Sequence, residues 1–114
     1  MGSALHELEG YEKSISCYDK AIAIKPDDHD AWYNRGVSLA ELEKYEEAIA
    51  SYDKAIAIKP DYHEAWHNRG VALEELQEYR EALKCYDKAI SIQPDDELYI
   101  NNRNDLLKQL GHSN

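Results

Sequence analysis

Two histidines four residues apart, His63 and His67, enclose a glutamate in the stretch HEAWHNRG. On a helix this spacing turns both imidazoles to one side, where they could hold a zinc ion while Glu64 activates a water for peptide hydrolysis. Gly70 even stands where the longer zincin signature places a glycine. A hydrolytic zinc needs a third protein ligand, and the place for it in the longer form holds apolar Leu73. The histidine pair therefore supports only a weak adventitious zinc or nickel contact, with no catalytic role. Glycines occur singly, so no loop is built to cradle phosphate, and the recurrent YDKAI puts Asp and Lys on a helix surface as a solvated pair. The expectation is a chain that is no enzyme and carries no cofactor.

What positions these residues is a repeat. Residues 29–62 and 63–96 align without a gap at 21 of 34 identical positions. The same step carries residues 14–28 onto both units, and residues 95–110 onto the start of another. Within a unit the apolar pattern is helical twice over. Ala31, Trp32, Leu39 and Leu42 recur near every third or fourth place, as do Tyr45, Ala48, Ile49, Tyr52, Ala55 and Ile56. The spacing predicts helices over about 30–42 and 45–58, with the turn at EKY and the stop at KPD. Gly36 with Ala48, and Gly70 with Ala82, mark where the two helices of a unit cross closely.

Trp32, Gly36, Ala48, Tyr52 and Pro60, repeated as Trp66, Gly70, Ala82, Tyr86 and Pro94, resemble the tetratricopeptide repeat pattern. The resemblance covers residues 4–110. It implies an all-α solenoid of antiparallel helix pairs, with a truncated first repeat over 1–28, full repeats over 29–62 and 63–96, a capping helix over 97–110 and a tail over 111–114. Met1, Gly2 and Ser3 resemble an expression remnant as much as native sequence. Arg35 and Arg69 depart from the pattern, which has leucine there. Their stems are expected between helices, with the guanidinium on Asp19 or Asp53 of the preceding unit.

The ends are unequal. The first unit begins about nine residues late, so ALHELEG reads as a stub ahead of a helix over 11–24. Ile15, Tyr18 and Ile22 would then lie on an open apolar face, as in a fragment of a longer array whose end could stack on another copy. At the other end Ile100 and Leu107 occupy the core places, Asn104 replaces the glycine, and Asp95 or Asp96 caps the helix. Cys17 and Cys85 occupy equivalent places two units apart, on the order of 20 Å, too far for a disulfide. Both read as half-exposed spacers.

The resemblance implies a concave groove lined by first helices that holds an extended peptide or a partner helix. Its places here are Asp30, Tyr33, Asn34, Val37 and Glu41, then Glu64, His67, Asn68, Val71, Glu74 and Glu75, with Asn101 and Asn102 from the cap. Asn34, Asn68 and Asn102 form a ladder at the repeat step. Side-chain amides both donate and accept, so such a row pairs with successive peptide groups whatever their side chains. Similar ladders occur in the repeats of the glycosyltransferase that adds N-acetylglucosamine to Ser and Thr. Equally, an asparagine here is near the family consensus and can bond neighbouring backbone.

Charge narrows the partner. Thirteen basic against 23 acidic residues leave a net charge of −10, which disfavours nucleic acid and anionic lipid. The acidic groove places favour a neutral or basic protein segment. Domains of this family that clamp acidic chaperone tails use Lys, Asn and Arg, whereas Glu64 and Val37 stand at clamp places here. No run approaches the length of a membrane span and no secretory leader opens the chain, so the sequence reads as soluble and cytoplasmic. The expected function is a protein-interaction scaffold. The alternative is a structural spacer or self-assembly module stacking through the N-terminal face.

Overall fold

A computed structural model describes residues 2–111, with side chains from Glu7 onward. The side chains of residues 1–3, and the tail beyond Gly111, lie outside the described residues. Six helices follow one another, and no strand occurs among the described residues: α1 Gly2–Ile24, α2 His29–Glu41, α3 Tyr45–Ile58, α4 His63–Glu75, α5 Tyr79–Ile92 and α6 Glu97–Gln109. They form two compact units, Met1–Pro60 and Asp61–Asn114. In the first, α2 packs on both α1 and α3; in the second, α5 packs on both α4 and α6.

Each full helix pair is built the same way. Asp28 caps α2 by accepting from the Ala31 amide at 3.2 Å, and the Trp32 indole donates to the Pro26 carbonyl at 2.9 Å, tying the loop to the helix. At the far end Glu43 adopts a left-handed φ of 60°. The Lys44 amide then reaches the Leu39 carbonyl at 2.9 Å and the Glu43 amide the Ala40 carbonyl at 2.9 Å, a Schellman closure. Gln77, with φ 64°, repeats this in the second unit, where the Glu78 amide bonds the Leu73 carbonyl at 2.8 Å. The α4 start differs, because Tyr62 takes the cap place and makes no side-chain cap bond. Asp96 restores the cap on α6.

The two helices of a pair meet at a glycine and a tyrosine. A Cβ built on Gly36 would stand 2.5 Å from the Tyr52 ring, and one on Gly70 would stand 2.7 Å from the Tyr86 ring. Both rings are 1% exposed and Ala48, Ala55, Ala82 and Ala89 are fully buried around them, so the rings have nowhere to retreat. Arginine adds a second tie. Arg35 donates through Nε to Asp19 at 2.6 Å and through Nη1 to Ser51 Oγ at 2.8 Å, joining α2 to α1 and α3. Arg69 donates to Cys85 Sγ at 3.0 Å, and Arg103 pairs with Asp87 across α6 and α5.

Several expectations change. The stub and the helix over 11–24 are one continuous helix, α1. Glu9 aligns with Glu43 and Gln77, and a turn there would put a non-glycine residue in the left-handed region at a cost of about 1–2 kcal/mol. In the full units the burial of a whole first helix offsets that cost, but some seven residues have too little surface to do so, and the chain keeps its helical hydrogen bonds instead. Ile15 packs into the Leu39, Ala48 and Tyr52 cluster rather than lying open. The uncovered side of α1 is the one carrying exposed Cys17 and half-buried Ser14, Tyr18 and Ala21, whose counterparts Ala48, Ser51, Tyr52 and Ala55 are at most 1% exposed. Cys85 is likewise not half-exposed but 1% exposed, because α4 covers it. Neither cysteine forms a disulfide among the described residues. On α6 the core places are one residue earlier than expected: Tyr99 and Leu106 are buried, while Ile100 and Leu107 are half-buried.

The glycine contacts give an opposed pair of outcomes for one substitution type. Gly36→Ala or Gly70→Ala should destabilise the fold by about 1–3 kcal/mol through overpacking against a tyrosine that cannot move. Gly10→Ala, mid-helix with nothing within 4 Å of the new Cβ, should stabilise by about 0.5–1 kcal/mol. Urea unfolding followed by circular dichroism measures all three, and equal shifts at the three positions would remove close helix approach as the explanation.

Candidate functional site

The surface to consider is the stripe of first-helix residues in each unit. On α2, residues 30, 34, 37 and 41 recur at helical spacing along one side. Asp30 and Glu41 are exposed; the former lies 3.6 Å from the His29 ring and the latter accepts from Tyr11 at 3.4 Å. The Glu41 carboxylate pushes the Tyr11 phenol above its ordinary value. Between them Asn34 is half-buried, and its amide makes no hydrogen bond among the described residues. Tyr33 and Val37 are partly turned inward onto the Leu39, Ala48 and Tyr52 cluster, with Tyr33 and Tyr52 ring centroids 5.9 Å apart.

The second unit carries the same stripe with different chemistry. Glu64 and Glu75 are exposed, Asn68 and Val71 are half-buried, and Asn101 is exposed on α6. Glu74 faces inward enough to accept from the Tyr86 hydroxyl at 2.7 Å. Burial, and then this bond and the adjacent carboxylate charge, push the Tyr86 phenol far above its ordinary range, so it stays a neutral donor.

His67 departs most from expectation. The repeat resemblance gives it a groove place, yet it is 4% exposed. Its ring stacks on Tyr99 at 4.4 Å and 23°, lies 5.3 Å from the Tyr86 ring, and holds Nε2 3.2 Å from Asn102 Nδ2. The physical reason lies in α6. Tyr99 stands at the repeat place where the full units have Ala31 and Ala65, and this larger ring forms a floor against which an imidazole packs flat. Asn102 is thereby paired with His67, so the asparagines at the three equivalent places are not equivalent in setting. The alignment carried the signal in two substitutions at aligned places, His67 for Tyr33 and Tyr99 for alanine, but neither reads as a contact until α6 is seen against α4.

The same geometry places both histidines of the HEAWH stretch against α6. His63 Nδ1 lies 2.8 Å from the Tyr99 hydroxyl and its Nε2 faces Glu64 at 3.7 Å, while His67 Nε2 faces Asn102. The Tyr99 ring is within ring-contact distance of both histidines. Among the described residues no group of three or more His, Cys, Asp or Glu could hold a metal ion. A hollow of about 610 Å³ lies elsewhere, against Gln77, Tyr79, Arg80, Leu83 and Leu110, and includes none of the stripe residues. No described helix is long and apolar enough to cross a membrane.

Comparison with known proteins agrees with this architecture. A family model described as TPR repeat matches residues 2–42 and 36–77, and one described as tetratricopeptide repeat matches 63–96. No curated protein matches the chain. Among solved structures, the first TPR of Spaghetti (RPAP3) bound to the HSP90 peptide SRMEEVD is similar at 25% identity and TM-score 0.87, over 96% of this chain and 87% of that one. The Arabidopsis OM64 TPR domain is similar at 26% identity and TM-score 0.84, over 94% and 88%. MamA from Desulfovibrio magneticus RS-1, at 21% identity and TM-score 0.85 over 99% and 64%, shares the fold. The matched models span most of the chain, and its helix pairs close at the expected glycines, though against the Tyr52 and Tyr86 rings rather than against Ala48 and Ala82. The chain is all-α and belongs to the tetratricopeptide repeat family.

Proposed function

We propose that this chain is a protein-interaction scaffold whose first-helix stripes bind an extended neutral or basic peptide segment. The observation that carries the reading is Asn34, a half-buried amide without a hydrogen bond among the described residues, set between the exposed carboxylates Asp30 and Glu41. An amide so placed offers a donor and an acceptor to a passing peptide group, and the flanking charges attract Lys and Arg. Within the second unit Asn68 and Asn101 give a polar surface of its own, with Glu64 and Glu75 adding charge. The peptide bound by the Spaghetti repeat domain, SRMEEVD, is acidic. An acidic peptide would meet like charge at Asp30, Glu41 and Glu64 here, so a different class of peptide is proposed despite the shared fold. No catalytic role is part of the reading, and two thiols outside any disulfide suit a reducing, cytoplasmic setting.

A second reading has one observation in its favour, the uncovered side of α1 with exposed Cys17 and half-buried Ser14, Tyr18 and Ala21. Self-association or stacking through that side would be driven by apolar burial.

Binding to an array of random and basic peptides tests the first reading. Asn34→Ala/Asn68→Ala, with helicity checked by circular dichroism, should weaken binding by about fivefold or more, each amide bond being worth about 0.5–1.5 kcal/mol. His67→Tyr should leave affinity at neutral pH within about twofold, since a residue buried under α6 offers no contact to a peptide. Raising the ionic strength to about 1 M, where screening reaches ~3 Å, should weaken the peptide complex. Self-association through α1 should instead persist or strengthen, as sedimentation velocity would show. If no peptide binds, the scaffold reading in this form fails and the α1 reading takes its place.

A further inference from the structure

The second unit contains a buried titratable group that the proposed function does not use. His67 sits on α4 beneath α6, and its Nδ1 is fully buried with no hydrogen-bond partner. Its other nitrogen faces Asn102 at 3.2 Å. The first unit has Tyr33 at this place, so the repeat itself does not require an ionisable residue here.

The groups around the ring can be named from every element that packs on it. From α4 come His63, which is within 2.8 Å of the Tyr99 hydroxyl, Glu64 beside His63, and Glu74. From α5 comes Tyr86, whose hydroxyl already donates to Glu74 at 2.7 Å. From α6 come Tyr99, Asn102 and the cap residue Asp96. Of these, Asp96 favours a charged imidazole, but burial outweighs it and holds His67 below the ordinary imidazole value.

Hydrogen-bond capacity explains the preference for the neutral ring. A neutral imidazole has one donor and one acceptor, and the amide of Asn102 can meet either at Nε2 once its oxygen and nitrogen are assigned to suit. As placed, Asn102 Nδ2 donates to Nε2, so the neutral ring carries its proton at Nδ1, and protonation would add an N–H at Nε2 that faces the Asn102 NH2 and has no acceptor. A protonated ring has N–H at both nitrogens, and the second is a charged donor at a buried position with no acceptor. The simplest relief is to admit water by lifting the first turns of α6 away from α4.

We propose that His67 is a pH-operated latch, which holds the N-terminal half of α6 on α4 while its ring is neutral and releases that half when the ring is protonated. The Arg103 pair with Asp87 and the fully buried Leu106 keep the rest of α6 on α5, so the release is local. In the open state His67 is solvated and titrates at the ordinary value of 6.5. Opening is therefore favoured as pH falls through about 6.5, and the population of the open state at pH 5.5 exceeds that at pH 7.5 by up to about tenfold. Carboxylates of ordinary pKa remain ionised across this window.

Amide hydrogen exchange on the whole chain, corrected for the intrinsic pH dependence of exchange, measures the opening. Between pH 7.5 and 5.5, protection of the amides from Ile100 to Leu106 should fall several-fold, up to about tenfold, while those of α2 and α3 hold. His67→Tyr should abolish the fall, and His63→Ala, which keeps the buried ring, should retain it. Should His67→Tyr not fold, the His67 ring protons in the native chain serve instead, and the α6 opening must follow that titration curve. The latch is overturned by an unchanged α6 in the native chain, by the same fall in His67→Tyr, by equal losses in all helices, or by opening that does not track the His67 ring.

Discussion

The close approach of a glycine to a tyrosine ring is the contact on which the rest of each helix pair depends. With no Cβ on Gly36 or Gly70, a first helix settles onto Tyr52 or Tyr86 at a distance any side chain would forbid. That approach seals Ser51 and Cys85 from solvent and brings an arginine on the first helix within reach of them. It also sets which side of the first helix is left outward, and so fixes the stripe carrying Asn34 in one unit and Asn68 in the other. The left-handed residues Glu43 and Gln77 are tolerated because the pair they connect buries enough surface to offset their strain.

Where that contact is missing, the same sequence pattern behaves differently. Residues 11–24 carry the second-helix pattern with Ser14 in the place of Ala48 and Tyr18 in the place of Tyr52. Among the described residues no first helix lies across that side of α1, so Tyr18 is half-buried, Cys17 is exposed and the expected turn at Glu9 is replaced by helix. Local propensity favours a continuous helix throughout this region. Only the packing of a complete partner makes a break worthwhile.

The two units also show how one scaffold carries unlike chemistry at aligned places. In the first, Tyr33 leans on an apolar cluster with Tyr52 and Leu39. In the second, His67 occupies the aligned place between the buried Tyr86 and Tyr99 rings and next to half-buried Asn102, with half-buried Glu74 bonded to Tyr86. Both arrangements fill the same space, but the polar one depends on donors and acceptors being matched. An apolar cluster has no such requirement.

Read from the sequence, the helix-pair boundaries to within a residue, the glycines at the close approach, the arginine bond to Asp19 and the acidic character of the first-helix stripe were all legible. Each rests on periodicity, spacing or residue size, properties that repeat along the chain and therefore announce themselves. The burial of His67 and Cys85, the one-residue shift of the α6 core and the continuity of α1 were decided only by tertiary packing. These depend on which surface covers which, and a surface is covered by residues far away in the chain. Tyr99 lies 32 positions from His67, as the sequence numbering shows, and nothing in either residue's neighbourhood indicates that the two rings stack.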